Sequence, residues 1–272
     1  MSFHFCRVWA CAWKVFSKHF PTLLLVYFPL AAASIGALVF LVRILAMLIT
    51  GEAELSPETL QRLKPEETQL SFAKLSLLHW GGLVLLMGGL FLGALLTKAT
   101  SLFVLGTRAH VPIRVAFLEA AGMLGKFILL HLVALVVFGF MYFLFFSFLA
   151  AWLSRYGEAA LLWLEAAARA GILILAVLWW TLPLTAIMVV ERQGVSGALQ
   201  RNLSLTRGRF GSLLWLYFVL LLFWLPLAIY LFALLPGGLL FVLLIGLPFL
   251  DSFQFALYLT LTGRERNAEL LK

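Results

Sequence analysis

The chain has 272 residues, of which 64% are hydrophobic, 15% aromatic and 12% charged, with a formal net charge of +8. Water-soluble globules are roughly half apolar, so this composition excludes a soluble domain and describes a membrane protein. It also excludes a nucleic-acid binder, because the excess of cations is not gathered on a soluble basic face.

A helix needs about 20 mainly apolar residues to cross about 30 Å of hydrocarbon. Before the first such run, residues 3–18 read as an amphipathic helix. Phe5, Val8, Trp9, Ala12, Phe16 and Phe20 share one stripe at helical spacing, and Arg7, Cys11, Lys14 and Lys18 lie opposite. Cys6 and Cys11 are read as apolar fillers, since no His or Cys pair completes a metal site. The first spanning helix is expected over 21–45, too long for the core of a cleavable signal and so expected to be retained. Residues 50–74, TGEAELSPETLQRLKPEETQLSFAK, form a small polar cap, with Ser56-Pro57-Glu58 opening a short helix that Pro65 ends.

The second spanning helix is expected over 75–96. Gly89 and Gly93, with Gly81, Gly82 and Gly88 nearby, make it a close-approach helix whose partner is in the same chain or another subunit. A basic loop with Lys98, Arg108, Arg114 and Lys126 follows. It contains a helix over 112–125 that starts on Pro112 and has so thin a polar face that burial among the other helices is expected. The third crossing, 127–153, holds no charge, and His131 and Ser147 are its markedly polar residues.

Residues 154–170 are an alanine-rich helical run, and the fourth crossing, 171–190, ends at Glu191 and Arg192. An interfacial helix over 195–207 then sets Val195, Leu199, Leu203 and Thr206 against Gln200, Arg201, Ser204 and Arg207. Gly208 breaks it and Phe210 anchors the fifth crossing, 212–235. The link PGG at 236–238 makes a tight hairpin with the sixth, 239–262. Pro183, Pro226 and Pro248 lie inside crossings four to six and are expected to bend them and free carbonyls.

Most of the 20 lysines and arginines fall in the N-tail, the second and fourth loops and the C-tail, whereas the glutamates gather on the other side. The positive-inside rule then places both termini in the cytoplasm. Setting FGSLLWLYF beside FPTLLLVYF, with Phe127 at the same point of a further copy, gives three units of interfacial helix, spanning helix and return helix. The expected fold class is all-α, a polytopic membrane bundle of six transmembrane helices with three interfacial helices in a threefold internal repeat, forming one domain. Arg7, Lys14, Lys18, Arg201, Arg207 and Arg209 are expected to contact anionic phospholipid headgroups or a partner, at about 1 kcal/mol per cation near the surface.

The run PLTAIMVVERQGVSGALQRNLSLTRGRFGSLLW, with Glu191 at a helix end and an interfacial helix closing on Gly208 and Phe210, resembles the membrane domain attached to some bacterial glycerophosphoryl diester phosphodiesterases and its stand-alone relatives. PFLDSFQFALYLTLTGRER, with Tyr258 before a basic tail, is similar to the closing helix of that family. The resemblance covers roughly residues 183–266 and implies a six-helix protein of the bacterial inner membrane. It does not imply phosphodiesterase activity, which belongs to a separate soluble domain.

Asp251 is the deepest charge, about 16 Å from the end of the sixth crossing at 1.5 Å per residue. An ionised carboxylate there is costly unless paired or hydrated, so it is a functional candidate. The plainer reading is a protonated or hydrogen-bonded Asp251 holding helices together near Ser252 and Gln254. Arg43 reads as a snorkelling anchor rather than as its partner. His131, without a second histidine, reads as a packing or headgroup contact rather than a ligand, and Glu191 as an ion-pair partner of Arg201 or Arg207. No catalytic constellation, cofactor site or metal site is expected. The expected function is that of a non-enzymatic membrane protein working by association, as an accessory or scaffold subunit with another subunit or a second copy, or as an organiser of lipid. The alternative is a transporter or lipid-handling permease using Asp251 and the proline-bent helices.

Overall fold

A computed structural model describes residues 5–50, 77–107, 111–153, 182–209, 211–222 and 238–264. Every regular element among them is a helix: α1 (Phe5–Thr50), α2 (Leu77–Gly106), α3 (Ile113–Leu153), α4 (Leu184–Val190), α5 (Val195–Thr206), α6 (Gly211–Leu222) and α7 (Gly238–Thr262). The features expected at 51–74, 154–181 and 223–237, and the anchor Phe210, lie outside the described residues. Helices are what a chain this apolar must form in hydrocarbon, where each backbone N–H and C=O has to be satisfied within its own segment.

Among the described residues, four helices are long and apolar enough to cross a membrane: Cys6–Ile44, Trp80–Gly106, Ile113–Val137 and Gly238–Thr262. The count becomes five if α5 and α6, bent by 101° across a short break, form one broken span. The chain is therefore a multi-pass helical membrane protein. Of the six expected crossings, 171–190 and 212–235 are described only in part.

Two of the three expected junctions between interfacial and spanning helix are continuous helix. α1 runs through residues 18–21 and α3 through 125–127 without interruption. The physical difference lies in the backbone. Gly208, at φ 75, takes the left-handed conformation that terminates a helix, and Gly263 at φ 70 is the other described glycine with positive φ. Pro21 and Gly125 impose no such turn. A proline deletes one ladder bond and a helical glycine costs about 1 kcal/mol, and a long buried or lipid-facing helix tolerates both. The 46 residues of α1 span about 69 Å, more than twice the hydrocarbon thickness.

The chain divides into two compact units, residues 27–94 and residues 1–26 with 95–272, and α1 and α2 each pass through both. In the smaller unit α1 and α2 pack antiparallel. A Cβ on Gly93 would meet a methyl of Leu30 at 3.6 Å, and one on Gly82 would meet the Phe40 ring at 3.4 Å.

In the larger unit α7 is the central helix, with 56% of its most apolar stretch buried against 6% for α2. Around it pack Val8, Ala12 and Phe16 of α1, Leu102 of α2, Phe127 and Leu130 of α3, Ile187 and Met188 of α4, and Leu216 and Leu220 of α6. The Trp9 ring sits 5.7 Å from both Phe249 and Phe253. Ahead of Pro248, α7 widens into a π turn over Val242–Gly246, where the Leu247 N–H donates to Val242 O. This local widening re-pairs the backbone ahead of the proline.

The first turns of α3 depart from expectation. Only Ala116 and Ala120 are buried over 113–126, whereas Val115, Phe117, Leu118, Glu119 and Lys126 are exposed. A strip of alanines brings the helix backbone close to its neighbours and leaves the larger side chains facing out. Cys11 also shifts face: it is buried with Val8, Ala12 and Val15, while Cys6 is exposed.

Candidate functional site

α7 carries polar side chains at Asp251, Gln254 and Tyr258, spaced three and four apart and so on one face. All three are fully buried. About 10 Å separates the first from the last along the helix axis. Buried polar groups persist in hydrocarbon only when other groups satisfy them, and each of the three meets a different helix or turn.

Asp251 faces α2. Ser101 donates to its carboxylate, and the Ser101 hydroxyl also lies 3.0 Å from Lys98 O. Lys98, one turn earlier on the same face, is fully buried and interacts electrostatically with Asp251. This corrects the sequence reading, which put Lys98 in a basic loop after residue 96. The helix continues to Gly106 because the run TKATS is followed by the apolar LFVL, and the ammonium finds an anion in the core. His131 of α3 is also buried, its Nδ1 is 2.8 Å from Phe127 O, and Lys98 acts on it electrostatically. Three ionisable side chains from three helices therefore converge in one apolar core.

One turn along α7, the Gln254 amide donates to Leu182 O and to Thr185 Oγ1. Leu182 precedes Pro183, where α4 begins, so its carbonyl lies outside the helical ladder and takes the amide instead. Ser252 returns its hydroxyl to Pro248 O at 2.9 Å.

At the end of the stripe the Tyr258 hydroxyl donates to Glu191 Oε1 at 3.0 Å and accepts from Arg264 at 2.8 Å. Glu191 Oε2 pairs with Arg201 Nε at 3.4 Å and accepts from the Gln193 amide at 3.2 Å. Of the two arginines expected for Glu191, the structure places Arg201 there. Arg264 also lies over the Tyr258 ring, 5.8 Å from its centroid.

The remaining sequence-predicted residues sit apart from this stripe. Arg7, Lys14, Lys18 and Arg207 are exposed, and Arg209 donates to Leu261 O at 3.3 Å. Leu199 and Leu203 of α5 are also exposed, while Ala198 is buried and Val195 and Leu205 pack against the core. Gly89 has no atom within 4 Å of where a Cβ would stand, whereas Gly93 touches Leu30. No group of three metal-ligating side chains occurs among the described residues.

The arrangement ties α7 to α2, α4 and α5 through charge and hydrogen bonds inside an apolar medium. It also sets a carboxylate, an ammonium and an imidazole near one another, the groups from which a proton path is built. Comparison of the chain with protein-family models, with curated proteins and with solved structures found no match.

Proposed function

We propose that the chain is a non-enzymatic integral membrane protein that works by association, as an accessory or scaffold subunit or as an organiser of lipid at the cytoplasmic leaflet. Closed packing carries this reading. Lys98, Ser101, Asp251 and Gln254 are all fully buried, Ser101 donating to the Asp251 carboxylate, Lys98 acting on it electrostatically, and the Gln254 amide nitrogen donating to Leu182 O and Thr185. A carboxylate engaged in this way holds helices together. The exposed faces are apolar along α2 and α3 and basic at Lys14, Lys18 and Arg207. The same proposal includes six crossings in three related units, cytoplasmic termini, and, on the resemblance over residues 183–266, a bacterial inner membrane.

The convergence of His131, Lys98 and Asp251 favours a second reading, a permease coupled to proton movement. One set of variants separates the two. Removing one partner of a buried pair costs about 3–5 kcal/mol, whereas replacing both by apolar residues of similar volume is often neutral. Lys98→Met and Asp251→Leu are each expected to lower the thermal stability of the purified protein, and the double variant to recover most of the loss. Native mass spectrometry of the double variant is expected to show the same co-purifying proteins and lipids as the parent. A proton flux into proteoliposomes that the parent supports and the folded double variant lacks overturns the scaffold reading in favour of the permease.

A further inference from the structure

Between α3 and the turn after α4 lies a groove of about 500 Å³ whose described lining is Phe103, Val115, Leu118, Glu119, Gly122, Met123, Lys126 and Arg192. It takes no part in the α7 stripe. Val115, Leu118, Glu119, Gly122, Met123 and Lys126 recur at three- and four-residue spacing, so one face of α3 forms its length, and Phe103 and Met123 supply further apolar wall. Gly122 leaves the floor open, since a Cβ added there would find no atom within 4 Å.

Two cations and one carboxylate border this apolar wall. Arg192 reaches Glu119 at 3.8 Å, but both side chains are largely in the open, 73% and 48% exposed, so the pair is weak and easily exchanged. Arg192 is also the one described non-glycine residue with a positive φ, 52°. Such strain in a long charged residue persists where the position has a use. Long-chained cations spaced along a wall that is otherwise apolar but for Glu119 match an amphiphile with an anionic head.

We propose that this groove binds one anionic phospholipid, its phosphate held by Lys126 and Arg192 and an acyl chain laid along Phe103, Val115, Leu118 and Met123. Glu119 lends Arg192 a partner when the groove is empty and yields it to the phosphate. The site deepens the lipid-contact part of the proposed function and is independent of its scaffold part.

The test uses the purified full chain, delipidated in mild detergent and titrated with phosphatidylglycerol or phosphatidylcholine while bound lipid is counted by native mass spectrometry. The parent is expected to retain one phosphatidylglycerol that phosphatidylcholine and an excess of inorganic phosphate fail to displace. Loss of two surface cations weakens binding roughly 30-fold, so Lys126→Gln with Arg192→Gln should lose that lipid. Gly122→Leu, which fills the floor and suits a helix better than glycine, should lose it with all charges intact. Arg114→Gln, at an exposed cation of α3 outside the groove lining, should keep it. Retention of the lipid by both groove variants, equal binding of phosphatidylcholine, or displacement by inorganic phosphate overturns the proposal. Protein partners are read in the same spectra, so loss of partners with the lipid retained counts against the scaffold reading alone.

Discussion

Arg192 adopts a conformation that an L residue with a long side chain takes at a cost of about 1–2 kcal/mol. Its ion pair with Glu119 is too exposed to offset that cost. Arg192→Gly is therefore expected to raise thermal stability by about 1 kcal/mol, measured by melting in detergent, while weakening phosphatidylglycerol retention. A fall in stability on that substitution counts against the strain argument. At the same scale, Lys98 shows where sequence reading falls short. It stands beside Thr97, Thr100 and Ser101 at the end of an apolar run, which is how a loop residue looks in one dimension. Its anion is on α7, far along the chain, and no local pattern announces a pair of that separation. Asp251 itself is legible because a carboxylate deep in an apolar run needs a partner whatever the fold.

Among the elements, α7 shows how a helix central to a membrane bundle differs from its lipid-facing neighbours. Its apolar positions are no more apolar than theirs, but it adds a polar side chain about every turn on one face, each answered by another helix. Tyr258 binds its last turn to the Glu191 turn and to Arg201 of α5. Tyr258→Phe removes one hydrogen bond donated to a charged group and one accepted from Arg264, while Glu191 keeps Arg201 and Gln193. The expected loss is about 1–2 kcal/mol, read as a lower melting temperature that rising salt does little to change, because the group is buried. The spacing of Asp251, Gln254 and Tyr258 can be read from the sequence, as can the end of α4 at Glu191 and the left-handed break at Gly208. Thr185 and Ser101, which complete the contacts, cannot, since small hydroxyl residues inside apolar runs more often bond back to their own helix, as Thr100 does to Leu96 O. The junctions after residues 18 and 125 escape sequence reading for a related reason. Amphipathic patterning fixes which face is polar, whereas α5 stops because Gly208 takes positive φ, and neither earlier junction has such a residue.

Across the whole molecule, exposed apolar side chains such as Leu85, Leu135, Val136 and Phe143 sit on helices long enough to cross a bilayer, while exposed cations gather on residues flanking them. That division is the physical content of the membrane assignment, and composition alone foreshadows it. The placement of the polar stripe on the last described helix has a consequence for biogenesis. During N-to-C synthesis Lys98 is made well before Asp251, so the ammonium lacks this anion until α7 is added. Pulse-chase labelling should show Asp251→Leu turning over several times faster than the parent and the Lys98→Met, Asp251→Leu double variant close to it. A chain cut short before α7 should vanish as quickly as the single variant.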